Sequence, residues 1–336
     1  MMKIFDYAKK LLAIPSPSGY TKDVSDYLAN HFESINAKYE INKNGSVVVT
    51  IDGKSDYTVG LSSHVDTLGA VVRSIRNDGT LRFVQIGGPI LPTYDGEYCT
   101  VFTRDNKQYS GTFLSNSPAT HVYKDAATAP RNADTMHIRL DEVITGKDDV
   151  KKLGIDNGDF IAVDPKTVVT ESGFIKSRFL DDKVSAAILL YLIDYLKENN
   201  ITPQYTLKII FTVYEEVGFG ASYIPAVDEL IAVDMGCIGE DLSATEYDVS
   251  ICAKDAAGPY NYDITTKLVS LAKANGLKYA VDIYPYYSSD VSAALKAGNN
   301  IKGALIGPGV HASHGMERTH LEGVTNTFKL LLAYIN

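Results

Sequence analysis

The sequence predicts an α/β fold that is interrupted by a small inserted β domain. Apolar, β-branched runs alternate with helical periodicity over residues 1–73 and again over residues 166–336, which is typical of an α/β domain. Between them, residues 74–165 show short alternating runs broken by turn sequences such as Asn77-Asp-Gly79. That pattern indicates a small β-barrel or sandwich. One discontinuous domain would therefore hold an insertion whose entry and exit lie close together.

The composition excludes several classes of partner. The chain has 336 residues, of which 45% are hydrophobic and 22% charged, and its net charge is −9. No Lys/Arg-rich stripe is present, which argues against nucleic acid or an anionic membrane as the main partner. No apolar run approaches the roughly 20 residues of a membrane span. The odd number of cysteines and the lack of a CxxC pair favour reduced thiols in a cytoplasmic protein: Cys99, Cys237 and Cys252.

The elements of the two flanking segments can be assigned in order. A first amphipathic helix is stopped by Pro15 and Pro17, and Thr21 opens a second helix. Asn42–Gly45 is a hairpin turn signal, and Asp181 or Asp182 can cap a long helix that ends near residue 197. The predicted helices are 2–13, 21–32, 182–197, 260–274, 289–296 and 321–335, and the predicted strands are 46–51, 57–62, 205–214, 230–233, 246–253, 278–283 and 301–306.

Acidic and imidazole side chains collect where the predicted strands end. The strand before Glu215 and Glu216 is apolar enough to be buried on both faces, and a buried acid pair is costly unless a cation accompanies it. In an open α/β sheet, groups at the carboxyl ends of the strands converge on one edge. The other candidates there are His64, Asp66, Asp181, Asp182, Asp234, His311 and His314.

These residue types favour a metal centre. Two histidines with several carboxylates suit Zn²⁺, Co²⁺ or Mn²⁺. The acids are too many for one cation, and they fit two ions about 3.5–4 Å apart that share a bridging carboxylate. Taken singly, each motif has a structural explanation: a satisfied strand-end histidine, a helix cap at Asp181-Asp182, a solvated turn at Glu215-Glu216, or a loop hydrogen bond at Asp234.

The order and spacing of these motifs resemble the dinuclear metallo-aminopeptidases that include glutamyl aminopeptidase, deblocking aminopeptidase and tetrahedral aminopeptidase. The similarity extends over nearly the whole chain. Its elements are Ile14–Tyr20 (IPSPSGY), Ser63–Gly69 (SHVDTLG), Gly154–Asp159 (GIDNGD), Ser177–Lys183 (SRFLDDK), Thr212–Gly218 (TVYEEVG), Ala232–Asp234 (AVD) and Tyr287–Asp290 (YSSD).

The resemblance implies an α/β/α sandwich with a mixed central sheet, plus an inserted β-barrel at residues 74–165. His64 and Asp234 would hold one divalent ion and Glu216 and His314 the other. Either Asp181 or Asp182 could bridge them, and the position of Asp181 directly after Leu180 favours Asp181. Glu215 would be the general base of a water activated by the two ions. Asp66 would accept the second ring N–H of His64. Zinc is the expected metal, with cobalt or manganese as alternatives.

The sequence also departs from the family pattern. The family commonly has Arg-Tyr-x-His-Ser-x-x-Glu near its end, whereas the segment here is Gly307–His320 (GPGVHASHGMERTH). Either His311 or His314 could be the ligand, and Glu317-Arg318 after His314 favours the latter. His320 is expected to be a helix cap or surface residue. Lys183 stands where the family often has arginine and keeps the charge.

The resulting hypothesis is an aminopeptidase that removes N-terminal residues from short peptides. The alternatives are a related metallohydrolase, either a deacylase or a carboxypeptidase, and a catalytically silent metal-binding scaffold. Retention of Glu215 argues against the scaffold, because a purely structural site needs no base. The resemblance further implies a homo-oligomer built through the inserted domain, from a dimer up to a dodecamer.

Overall fold

A computed structural model describes residues 2–336 and divides them into two compact units. The first unit combines the segment up to Asp66 with Lys166–Asn336, and the second is Thr67–Pro165. The expected boundary after residue 73 falls inside a strand, Gly69–Ile75, that pairs with other strands of the second unit. The insertion therefore begins before this strand, whose turn signal at Asn77–Gly79 marks its end and not its start.

Among the described residues, seven α-helices form where apolar residues recur at helical spacing. The first helix, for example, buries Ile4, Phe5 and Leu11 on one face and exposes Lys9 and Lys10 on another. The helices are α1 (Met2–Leu12), α2 (Lys22–Ser34), α3 (Lys147–Leu153), α4 (Leu180–Glu198), α5 (Tyr262–Ala274), α6 (Asp290–Lys296) and α7 (Leu321–Ile335).

The first unit is built on a mixed nine-stranded sheet. Its strands are β1 (Lys38–Ile41), β2 (Val47–Ile51), β3 (Ser55–His64), β12 (Tyr205–Thr212), β13 (Glu229–Val233), β14 (Gly236–Cys237), β15 (Val249–Lys254), β16 (Tyr279–Ile283) and β17 (Lys302–Val310). The order is β1-β2-β12-β3-β13-β17-β15-β16, and β14 pairs with the end of β17. A second, antiparallel sheet joins β10 (Val168–Val169), β11 (Phe174–Ser177) and β18 (Glu317–His320).

The second unit is a closed six-stranded barrel in the order β4-β5-β8-β7-β6-β9. Its strands are β4 (Gly69–Ile75), β5 (Leu81–Ile86), β6 (Tyr98–Phe102), β7 (Gln108–Ser115), β8 (Met136–Leu140) and β9 (Phe160–Val163). All pairings are antiparallel, and the interior holds residues such as Phe83, Phe113 and Ile138. The predicted fold class, an α/β/α sandwich with a mixed sheet and an inserted small β-barrel, is confirmed.

Four neighbouring strands at the centre of the main sheet run parallel. They are β12, β3, β13 and β17, and Thr212 at the end of β12 is paired with His64 at the end of β3. Their carboxyl ends therefore meet at one edge of the sheet. Val47–Val49, Leu61 and Ile231 are fully or almost fully buried, as expected for strands that are covered on both faces.

One stretch that the sequence presented as a loop is partly a strand. Glu317–His320 forms β18, which pairs with β11, and His311 pairs with Arg318 through two backbone hydrogen bonds. The glycine- and histidine-rich composition of residues 307–320 does not predict this strand. The strand depends on pairing with β11, which lies far away in sequence. Within the described part of the chain, no helix combines the length and the apolar character needed to cross a membrane.

Candidate metal centre

The acid pair lies on a tight turn that begins three residues after β12. Tyr214 adopts a left-handed backbone conformation (φ 75°), and Glu215–Val217 form a single 3₁₀ turn. The backbone N–H groups of Glu215 and Glu216 donate to the two carboxylate oxygens of Asp66, at 3.1 and 3.3 Å. Asp66 is fully buried, and its carboxylate fixes the backbone of this turn.

His64 connects this turn to the start of α4. Its Nε2 lies 3.2 Å from Asp181 Oδ1 and 3.7 Å from Glu215 Oε2. Its Nδ1 lies 3.0 Å from the backbone oxygen of Asp66 and 3.6 Å from the Asp66 carboxylate. The backbone oxygen of Asp66 is thus the nearer acceptor for this ring nitrogen, and the expectation that the Asp66 carboxylate takes the second ring N–H stays a prediction.

Two sets of potential ligands share Asp181. Ligand atoms of His64, Asp181 and Asp234 all lie within 4.8 Å of one another. On the other side, His314 Nε2 is 3.7 Å from Asp181 Oδ2 and 3.7 Å from Glu216 Oε2. The structure thus brings together all five residues that the sequence proposed as ligands.

The alternative histidine lies outside this cluster. His311 is exposed, and its backbone is paired with Arg318 across the β17–β18 connection. His314, three residues later, takes a left-handed conformation (φ 63°) and turns its ring toward Asp181. The turn between β17 and β18 therefore places His314, and not His311, beside Asp181.

Glu317 is a part of the site that sequence reasoning used only as a landmark. Its carboxylate accepts the backbone N–H of His314 at 2.9 Å and that of Asp181 at 3.0 Å, and its side chain is almost wholly buried. It therefore fixes the backbone of two predicted ligands that are 133 positions apart in the sequence. Its place three residues after His314 was the signal that could have identified it.

The Asp181-Asp182 pair is not a helix cap. The residue before α4 makes no side-chain capping hydrogen bond, and both aspartates have non-helical backbone angles. Asp182 Oδ2 accepts from the hydroxyl of Ser63 at 2.5 Å and from the backbone N–H of His64 at 3.3 Å. Asp182 thus stabilises the end of β3 through these hydrogen bonds, and Asp181 contacts the candidate ligands.

Lys183 links the site to the N-terminal segment. Its buried ammonium donates to the carbonyl oxygens of Leu11 and Ile14, at 2.9 and 2.7 Å. Burial lowers the pKa of Lys183 to about 7, against the opposing charge of Asp66. The Lys183 Nζ therefore ties the start of α4 to the end of α1 through these hydrogen bonds, and the sequence argument about its charge did not locate this contact.

The electrostatics of the cluster are those of a site that lacks positive charge. Burial, followed by the charge of Asp181, raises the pKa of Asp234 to about 7. Burial also raises the pKa of Glu215 and that of Glu216 well above their ordinary values, although His64 opposes both shifts. For Asp181, burial is outweighed by the hydrogen bond and charge of His64, and its pKa is lowered.

The donor set fits divalent metal ions. Glu216 Oε1 is buried without a hydrogen-bond partner among the described residues, and an uncompensated buried carboxylate oxygen is costly. Imidazole and carboxylate ligands suit zinc and its neighbours in the first transition row. A cation at each ligand set would complete the coordination of Glu216 and offset the charge of the acids.

Comparison with known proteins points the same way. The sequence profile of the family described as M42 glutamyl aminopeptidase matches residues 45–330. A putative aminopeptidase of Bacillus subtilis, YhfE, is 44% identical over 337 aligned positions, covering 99% of this chain and 97% of the relative.

Two solved structures share the fold over almost their whole length. The aminopeptidase APDkam598 of Desulfurococcus kamchatkensis superimposes with a TM-score of 0.89 at 24% identity, covering 99% of this chain and 94% of that one. The TET1 peptidase of Pyrococcus horikoshii, which can assemble into a tetrahedron or a large octahedral shell, does so with 0.86 at 22% identity, covering 99% of each chain.

Proposed function

Since the chain belongs to the M42 glutamyl aminopeptidase family, it is a peptidase, and we propose that it removes N-terminal residues from short peptides by metal-assisted hydrolysis. The observation that carries this proposal is the shared position of Asp181 between two ligand sets. Such a pair of sites suits peptide hydrolysis by water.

The proposed ligands follow from the distances. His64 and Asp234 would hold one ion, Glu216 and His314 the other, and one carboxylate oxygen of Asp181 faces each side. Each ion would have three protein ligands, which leaves room for water and substrate. When bound, two such ions polarise the scissile carbonyl and make water a better nucleophile.

Glu215 is proposed as the general base. Its carboxylate lies at the edge of the cluster, 3.7 Å from His64 Nε2, and its backbone is held by Asp66. Glu215 would take a proton from the attacking water and give it to the departing amine. A pKa raised by burial favours this exchange, because a base works best when its pKa lies near the working pH.

The free amino group of the substrate would be recognised by negative charge. The site is rich in carboxyl groups, and a substrate ammonium is stabilised by nearby negative charge. The wider class of substrate is therefore short peptides with an unblocked N-terminus. A deacylase or carboxypeptidase would instead need to neutralise a free carboxylate near the reacting bond.

The decisive experiment compares blocked and unblocked substrates. The purified protein is loaded with Zn²⁺, Co²⁺ or Mn²⁺ and assayed on aminoacyl p-nitroanilides, short free peptides and the matching N-acetylated compounds. We expect hydrolysis of the unblocked set only. Hydrolysis confined to the acetylated set would overturn the aminopeptidase proposal in favour of a deacylase, and inactivity on both sets would favour a metal-binding scaffold.

We also propose that the chain forms a homo-oligomer. The support is the Pyrococcus horikoshii peptidase, which assembles into closed shells and has the same fold. Light scattering coupled to gel filtration measures the mass directly. A single species of one-chain mass, 36.6 kDa, at micromolar concentration would contradict the proposal.

A further inference from the structure

The loop between α1 and α2 carries a buried serine that the mechanism proposed above does not use. Ser18 donates its hydroxyl hydrogen to Asp66 Oδ2 at 2.5 Å, a length typical of an O–H that donates to a carboxylate. The same carboxylate accepts the backbone N–H groups of Glu215 and Glu216. Through Asp66, Ser18 is therefore connected to the proposed base and to a proposed metal ligand.

The local sequence restricts where the Ser18 hydroxyl can point. The backbone N–H of Tyr20 donates to the carbonyl oxygen of Pro17 at 2.7 Å, which closes a turn around Ser18. Proline fixes its own φ near about −65°. Gly19 has φ 94°, a left-handed conformation that glycine adopts without a steric penalty. The Pro-Ser-Gly sequence thus forms a rigid turn that presents the serine side chain to the protein interior.

Other hydrogen bonds attach the same loop to the first unit on both sides of the sheet edge. Lys183 Nζ donates to the carbonyl oxygens of Leu11 and Ile14, just before the turn. The hydroxyl of Ser16 donates to the backbone oxygen of Val65 at 2.7 Å. Because the loop is fixed at these points, Ser18 can act as a stationary support for Asp66.

The Asp66 carboxylate needs a partner of this kind to keep its orientation. The last torsion of an aspartate side chain has broad minima, so contacts from several directions are required to fix the carboxylate plane. The N–H groups of Glu215 and Glu216 lie 3.1 and 3.3 Å from it, and His64 Nδ1 lies 3.6 Å from it. The Ser18 hydroxyl approaches from a different segment and makes a closer contact than these three groups.

We propose that Ser18 is a positioning residue for the reaction. By holding the Asp66 carboxylate, its hydroxyl keeps the turn that carries Glu215 and Glu216 in the geometry required for catalysis. The inference rests on the proposed peptidase function, in which Glu215 is the base and Glu216 a metal ligand. The role requires no contact with substrate or metal, because the effect passes through Asp66.

Ser18→Ala tests the proposal by removing a single buried oxygen atom. We expect kcat to fall about 10-fold while KM changes less than about threefold, since the turn geometry matters most in the transition state. The affinity for Zn²⁺, measured by competition with a chelating dye, should fall on the order of 10-fold. Zinc affinity can be measured even if the wild-type protein hydrolyses no peptide, so failure of the proposed function and failure of this inference are distinguishable.

Ser16→Ala is the matched control. Ser16 lies in the same loop and is also buried, but its acceptor is the backbone oxygen of Val65. The backbone there has a second attachment, because the N–H of Val65 donates to the carbonyl oxygen of Thr212 at 2.9 Å. Each alanine variant loses one buried hydrogen bond, so both should melt below the wild-type temperature. Only Ser18→Ala should lose kcat and zinc affinity.

Ser18→Thr retains the hydroxyl, and we expect it to keep most of the kcat and zinc affinity that Ser18→Ala loses. Four results would overturn the role of Ser18. They are unchanged kcat and zinc affinity in Ser18→Ala, equal losses in Ser18→Ala and Ser16→Ala, a rise in KM with kcat unchanged, and a folded Ser18→Thr that is as defective as Ser18→Ala. Equal losses would mean that attachment of the loop is sufficient, and a rise in KM alone would mean that Ser18 acts on substrate binding.

Discussion

Asp194 and the carboxylates of the metal centre are all buried in the first unit, but the protein surrounds them differently. Asp194, on α4, receives a hydrogen bond from the hydroxyl of Tyr7 and lies 3.1 Å from Lys3 Nζ and 3.0 Å from His31 Nε2. Burial alone would raise the pKa of Asp194, but these three partners lower it to about 2.

The metal centre shows the opposite balance. Burial and mutual repulsion raise the pKa of Glu215, Glu216 and Asp234, and one oxygen of Glu216 is buried without a partner. The comparison teaches that burial by itself does not mark a functional carboxylate. What marks it is burial that the protein leaves uncompensated, so that a ligand must supply the missing charge.

Removal of divalent ions should give the largest difference between the two clusters. We expect complete loss of peptidase activity after treatment with a chelator and recovery on addition of Zn²⁺, Co²⁺ or Mn²⁺. Thermal unfolding should also shift downward, since an ion present at 100 times its dissociation constant stabilises the folded state by about 3 kcal/mol. If protein shown by mass spectrometry to be metal-free kept full activity, the inference that a ligand supplies the missing charge at the metal centre would be contradicted.

Glu215→Gln should have the next largest effect. The amide cannot carry the proton from water to the amine, so kcat should fall on the order of 10³-fold, while metal content is unchanged. Glu33→Gln, an exposed site on α2, is the control for the chemical change and should retain wild-type kcat. Wild-type kcat in the Glu215 variant would require another base.

His314→Ala and His311→Ala separate the two histidines that the sequence left open. We expect the former to lose one of two bound ions and at least about 100-fold in kcat, because loss of an outer partner of a ligand already costs 10- to 100-fold. His311→Ala should keep both bound ions, since His311 is exposed and outside the cluster. Metal analysis after dialysis measures the stoichiometry, and the reverse pattern would reassign the ligand.

Asp194→Asn should have the smallest effect, confined to stability. The pKa is lowered from 3.8 to about 2 in the folded state, so ionised Asp194 stabilises the fold above pH 3.8, and this contribution disappears as the pH falls toward 2. The variant should lose about 2 kcal/mol at pH 7 and keep its kcat.

Urea unfolding of wild type and Asp194→Asn between pH 7 and pH 3 checks the direction in which the contribution of Asp194 to stability changes with pH. The difference in the free energy of unfolding between the two proteins should be constant down to about pH 4 and should become smaller below that pH. A gap that widens on acidification, or a loss of metal binding in the variant, would show that the two clusters are not independent.

Much of the fold could be predicted because its signals are local. The apolar run before Glu215 and the helical spacing in Leu321–Ile335 lie within single elements, and each formed almost as predicted. The exceptions are elements whose partners are remote. β18 pairs with β11, more than 130 residues earlier, and no feature inside Glu317–His320 indicates that pairing.

By itself, the sequence determined which acids and histidines stand at strand ends, because the alternation of apolar runs and turns is written in neighbouring residues. Only the tertiary structure decided that His314 and not His311 faces Asp181, and that the Asp66 carboxylate holds the Glu215 turn. The physical reason is that these contacts join distant segments, and the close packing of whole elements sets the distances between them.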